Sequence, residues 1–166
     1  GAAAGVRAAR RLRAEALVAL GRADAAARVL ESLADDDASP TEAAELLGQG
    51  ATALLGLPDP TGALKLARAA LERVPGDPTA RRVAGEAAWQ LRAWDDVIAA
   101  YEAPGLHPTV ELARRLGMAL ERVGREADAL PAYRAAVADP DARGEALAIA
   151  WRRLAELHER QGSYAD

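Results

Sequence analysis

The feature that most restricts what this chain can fold into is that it repeats itself. From Leu116 it reads Leu116, Gly117, Leu120 and Gly124, then Ala129, Tyr133, Ala136 and Pro140; from Trp151 it reads Trp151, Leu154, Ala155, His158, Gly162 and Tyr164. Further back, Gly85, Ala88, Trp94, Val97, Ile98 and Tyr101 keep the same offsets, with Arg92 standing at the turn where a glycine is expected. Ala51, Leu54, Ala63, Ala67, Ala70 and Pro75 form an earlier copy, and Ala14, Leu17, Gly21, Ala23, Ala26, Leu30 and Leu33 the first. Copies begin near residues 7, 44, 78, 110 and 148, at spacings of 37, 34, 32 and 38. A period of roughly 20–50 residues marks a small structural unit that cannot bury its apolar face alone and does so by stacking on its neighbours.

Composition says which unit this is. Apolar residues make up 51% of the 166, yet there is no Phe and only three Trp and three Tyr, so the apolar content is carried by Ala, Leu and Val. Ala and Leu are the strongest apolar helix formers, and the β-branched and aromatic residues that sheets favour are scarce. No run alternates apolar and polar residues as a strand would. The length suits one domain.

Charge and cysteine usage remove several functions. A formal charge of −4 and a pI near 5.3 argue against a general nucleic-acid binder, while leaving room for a local basic face. With no cysteine, disulfides and thiolate metal sites are excluded. No stretch approaches the ~18 uninterrupted apolar residues of a membrane span, and the Ala-rich start is broken by Arg7, Arg10, Arg11 and Arg13. Lys65 is the only lysine and asparagine is absent, a bias that points to a GC-rich, bacterial coding sequence. A chain that starts with Gly and has one Met, Met118, is expected to be a piece of something longer. Without a signal peptide in it, a cytoplasmic setting is favoured over a secreted one, and the compartment itself stays unassigned.

The repeated residues follow the pattern W-x₂-L-G-x₂-Y, then a glycine turn, then A, an aromatic, A and P. In this the sequence resembles the tetratricopeptide repeat family over nearly its full length. The resemblance implies an all-α fold, a right-handed α-solenoid of antiparallel helix pairs, with repeats at about 7–43, 44–77, 78–109 and 110–147 and a partial one at 148–166 in a single domain. Departures have local readings. Asp35-Asp36-Asp37-Ala38-Ser39-Pro40 adds loop to the first unit, and Pro104-Gly105 ends a second helix early. Residues from Ala142 to Leu147 are expected to lengthen the last helix, and Pro131 to kink a helix or delay its start.

Small residues are needed where helix axes approach to about 8–10 Å, and Gly85, Gly117, Ala129, Ala136 and Ala155 lie at those offsets. Leu54, Leu120, Trp94, Tyr101, Tyr133, Trp151 and Tyr164 are expected to fill the core between helices. Gly21, Gly124 and Gly162 are expected to take positive φ between paired helices.

Catalytic arrangements are not found. His107 sits in a Pro-flanked loop and His158 at a packing offset, and neither has a metal-ligand partner at a motif spacing. No phosphate-cradling glycine loop occurs. Asp35 to Asp37 lack the spacing of a calcium loop, and Asp95-Asp96 opens a helix, where acids favour the dipole. The reading is therefore of a protein that is not an enzyme and carries no cofactor or metal.

What the resemblance adds is a groove, since first helices of the family's repeats line a concave face. The matching offsets carry Arg11 and Glu15; Arg82, Glu86 and Trp89; Arg114, Arg115, Met118, Glu121, Arg122 and Arg125; and Arg152, Arg153, Glu156, Glu159 and Arg160. Arg82, Glu86, Trp89, Arg114, Arg115, Met118, Arg122, Arg152 and Arg153 are the candidate partner-binding residues. Arginine offers a planar fork of donors that fits carboxylates, so the expected ligand is a protein or peptide segment, in particular an acidic one, held by a scaffold or adaptor. The Arg–Glu spacing of Arg82-Glu86 and Arg152-Glu156 equally describes an ordinary solvated helix face. Two other readings stay open: a regulatory or substrate-recruiting region of a larger enzyme such as a glycosyltransferase or kinase, and a homo-oligomer formed through the partial last repeat. The family's clamp for chaperone tails uses Lys and Asn, and a chain without Asn lacks it in that form.

Overall fold

The computed structural model describes residues 2–36, 38–102, 109–160 and 162, with side chains from residue 4 onward. His107, Pro104, Gly105 and Tyr164 lie outside the described residues. Among those described there are nine α-helices and no strand. Residues Gly1–Arg92 and Ala93–Asp166 form two compact units.

In the first unit, α1 (Ala2–Ala19) and α2 (Ala23–Asp35) make a hairpin closed at Gly21, whose φ of 70° is the left-handed value a glycine adopts at little cost. The Arg22 amide donates to the Leu17 carbonyl at 2.8 Å and the Gly21 amide to Val18 at 2.9 Å, which satisfies carbonyls the end of α1 would leave open. Three helices follow, α3 (Pro40–Leu55), α4 (Pro60–Arg73) and α5 (Pro78–Leu91), and each starts by the same device. A Ser or Asp side chain caps and a proline follows at the first helical position, where a missing amide costs nothing. Ser39 Oγ accepts from the Glu42 amide at 3.2 Å, Asp59 Oδ1 from Gly62 at 2.9 Å and Asp77 Oδ1 from Ala80 at 2.6 Å. Thus Pro40, expected only to stop the preceding helix, also begins the next.

Successive helices of this unit pack on one another, and α3 also packs on α5. The core is built largely of alanine: Ala26, Ala43, Ala51, Ala63, Ala67 and Ala70 are fully buried, with Leu33 and Leu46 filling the gaps. Little apolar area is buried per residue, so close approach of the helices has to supply the dispersion contacts. The end of α5 is closed by Arg92, which itself takes the left-handed conformation, φ 56°, in the place of the missing glycine.

The second unit holds α6 (Trp94–Tyr101), α7 (Val110–Arg122), α8 (Glu126–Ala138) and α9 (Gly144–Arg160). Asp95 and Asp96 lie in the first turn of α6, as expected from the helix dipole. Again neighbours in sequence pack together, and α7 also packs on α9. The turn between α7 and α8 passes through Gly124 at φ 80°, and Gly162 has φ 66°. Asp139 joins two starts: one carboxylate oxygen accepts from the Val110 amide of α7 at 3.1 Å, the other from Asp141 at 2.9 Å. The last helix begins at Gly144, so it is lengthened at its N-terminus, two residues later than expected. Helix α8 runs without a late start from Glu126, with Pro131 inside it.

Tyr133 is the centre of this unit. It is fully buried, and its ring lies against the Cα of Gly117, where a Cβ would stand 2.7 Å from Cε1 and Cζ. Gly117 is thus small because an aromatic ring takes the space. Leu120, Ala129 and Ala136 are buried beside it. Two expectations fail on α9. Trp151 is 54% exposed and Ala155 is exposed, because the side of α9 turned from α7 and α8 meets no described helix.

Candidate functional site

The candidate residues of the first unit stand on α5, with Arg82 exposed and Glu86 and Trp89 half-buried. Those of the second unit are organised by glutamates. Glu111, one turn before them on α7, receives Arg114 Nη2 at 2.7 Å, Arg114 Nε at 3.0 Å and Arg115 Nε at 2.7 Å. Arg114 also donates to the Met118 sulfur at 2.9 Å. Both arginines are largely covered, at 11% and 15% side-chain exposure. Burial alone would raise the Glu111 carboxyl; the hydrogen bonds and charges of Arg114 and Arg115 outweigh it and hold the group below its ordinary value.

Glu121, one helical stretch further along α7, accepts from the Tyr133 hydroxyl at 2.5 Å and lies 3.9 Å from Arg153 Nε. Burial, reinforced by the Glu121 carboxylate, pushes the Tyr133 phenol far above its usual range, so it stays a donor. Arg153 is shared, with Nη1 on Glu156 at 2.8 Å. Arg152 is well exposed and stands 3.8 Å from the same Glu156. The Arg122 guanidinium lies 5.9 Å from the centre of the Trp94 ring, within range of a cation–π contact.

These side chains meet at a cleft of about 250 Å³ lined by Met118, Glu121, Arg122, Glu126, Arg153 and Arg160. Arg160 reaches Glu126 at 2.9 Å. Three of the candidates, Met118, Arg122 and Arg153, therefore line one cleft. Arg152 does not line this cleft, nor do Arg114 and Arg115, whose forks are directed to Glu111. Three guanidiniums against two carboxylates give it a small positive excess.

A larger hollow, which the sequence reading did not single out, lies in the first unit. It measures about 740 Å³ and is lined by α1, α2, α3 and the start of α5, with Glu15, Val18, Glu45, Gly48, Thr52 and Asp77 on its walls. The sign of it in the sequence is the run Ala44, Gly48, Thr52, which leaves one ridge of α3 almost without side chains. Of the groove offsets, Glu15 lines it.

Among the described residues no three His, Asp or Glu are grouped to hold a metal ion, and no helix is long and apolar enough to cross a membrane. In each unit the helices follow one another in chain order and pack on their neighbours, with a hollow along the first helices, which defines a helical-repeat protein of the α-solenoid class. The tetratricopeptide repeat model matches residues 49–104 and 114–166. The chain belongs to the tetratricopeptide repeat family. Solved structures of MamA share the fold. One has a TM-score of 0.67 at 17% identity over 90% of this chain and 84% of its own, and MamA AMB-1 has 0.66 at 22% over 94% and 82%. A further MamA protein has 0.66 at 16% over 96% of each. No curated protein matches the sequence.

Proposed function

We propose that this chain is a non-catalytic protein–protein interaction module, a scaffold or adaptor whose first helices hold a segment of a partner. Membership of a repeat family that presents extended binding surfaces supports the class. The detail rests on one observation, the gathering of Arg122, Arg153 and Arg160 at a single cleft of the second unit. A partner carboxylate entering there exchanges with Glu126 and Glu156 for guanidinium forks that those pairs already hold in place, which lowers the entropic cost of capture. Arg114 and Arg115, outside this cleft, are assigned the part of stiffening α7 through Glu111, Arg152 that of an outer contact, and Arg82, Glu86 and Trp89 that of contacts on the first unit.

Calorimetry with a pool of acidic peptides tests this. Binding should weaken about tenfold when Arg122 and Arg160 are both changed to Ala, the loss of two charge-assisted contacts of roughly 0.5–1 kcal/mol each at an exposed site. Unchanged affinity removes the cleft as the acidic-segment site.

The exposed Trp151 and Ala155 favour a second reading, self-association through the outer face of α9. Sedimentation over a concentration range decides it: a dimer that Trp151→Glu dissolves supports it, and a monomer throughout removes it.

A further inference from the structure

The hollow of the first unit has a chemistry opposite to that of the Arg-lined cleft. Its volume of about 740 Å³ falls within the roughly 300–1,000 Å³ typical of sites that enclose a ligand. The floor is bare, because Gly48 contributes no side chain and the Thr52 hydroxyl is turned back onto the Gly48 carbonyl at 2.8 Å. Val18 stands 47% exposed on its wall, an apolar side chain without a full complement of neighbours. All the charge lining it is negative: Glu15 on α1, Glu45 on α3 and Asp77 at the start of α5, with no Lys, Arg or His. Asp77 is committed to capping α5. Glu15 and Glu45 are exposed and take part in neither of the ion-pair groups that hold two other glutamates of this unit, Glu31 with Lys65 and Glu42 with Arg7 and Arg11.

We infer that this hollow is a docking site for an apolar-faced, cationic segment of a partner protein. Small and medium apolar side chains of the segment settle over Gly48 and against Val18, and flanking Lys or Arg side chains reach Glu15 and Glu45. A helical segment with apolar residues at i, i+3 and i+4 presents such a face, and a bare ridge lets its backbone approach closely. This shares the interaction-module reading but uses different residues and the opposite charge, so it stands or falls apart from the Arg cleft.

The test is calorimetry of the full chain with a synthetic amphipathic Leu/Ala/Lys peptide and with its Lys→Glu counterpart, the site being mapped by amide shifts. Preferred binding of the Lys peptide, with shifts on α1 and α3, is expected. Glu15→Gln with Glu45→Gln should weaken it about tenfold, two exposed charge contacts being lost without change to the core. Gly48→Leu should weaken it too by filling the floor, its Cβ meeting only Thr79 Cγ2 at an ordinary 3.7 Å. Arg122→Ala with Arg160→Ala should leave it as it was. Equal binding of both peptides, or binding of the Lys peptide undiminished in the double Gln variant, overturns the assignment. So does self-association that the double Gln variant abolishes, which would make a second copy of the chain the occupant.

Discussion

Replacing Gly117 by alanine adds one methyl group where the Tyr133 ring of α8 lies directly against α7. On helical propensity alone the change should stabilise, since glycine inside a helix is about 1 kcal/mol less favourable than alanine. The packing opposes it. The new Cβ would lie 2.7 Å from Cε1 and Cζ and 2.9 Å from Cε2 of Tyr133, so the whole ring has to retreat, and no flexible chain end can give way instead. The ring has little room to move, being fully buried and tied by its hydroxyl to Glu121 at 2.5 Å. Overpacking of this kind costs about 1–3 kcal/mol. With the ring held at both ends the upper part of that range applies, and the net expectation is a loss of about 1–2 kcal/mol after the helical gain. Urea unfolding followed by circular dichroism should show a lower midpoint at unchanged slope. Gly48→Ala is the internal control, another buried helical glycine whose Cβ meets only Thr79 Cγ2 at 3.7 Å, and it should gain about 0.5–1 kcal/mol. In a Tyr133→Phe background, where the tie to Glu121 is cut, the Gly117→Ala penalty should shrink by about 0.5–1.5 kcal/mol. A Gly117→Ala protein as stable as the parent would refute the claim that the ring is pinned.

Arg92→Gly should raise the unfolding midpoint, because a residue with a Cβ at φ 56° carries a penalty of about 1 kcal/mol that glycine does not. The Glu111 carboxyl, held below its usual value near 4.3 by Arg114 and Arg115, stabilises the folded state above that pH and loses the contribution as pH falls through the lower folded value. Glu111→Gln should therefore flatten the acid limb of a stability–pH profile below about pH 5, and a limb of unchanged steepness counts against the assignment.

The fold could be read from the chain because the repeat acts on the backbone. Gly21, Gly124 and Gly162 adopt the positive φ their spacing implies, and Gly85, Gly117, Ala129 and Ala136 are buried where helices approach. Even the departure at Arg92 was visible; the backbone keeps the left-handed turn and the side chain accepts its cost. Trp151 was misplaced for a reason of the same kind. An aromatic at this offset has the same period whether or not a helix covers it, so burial depends on the next element and not on the residue. The large hollow of the first unit escaped notice because it is made by absence. Ala44, Gly48 and Thr52 look individually like further small packing residues, and only the placing of α1, α3 and the start of α5 around the bare ridge turns it into a space.

The candidate site shows where pattern stops and geometry begins. Arg114 and Arg115 drew attention as cations on an acidic protein, but Glu111 lies three and four residues before them, the spacing at which helical side chains meet. Their forks are consequently directed along their own helix. Arg153 is also paired on its own helix, with Glu156, but it lines the cleft with Arg122 and Arg160, which come from two helices and are brought together by the packing of α7 on α9. A charge paired within its helix stiffens that helix, whereas charges gathered from separate helices make a field that a third body can enter. By that criterion the carboxylate capture proposed for the second unit should depend on the packing of α9 as much as on the arginines themselves.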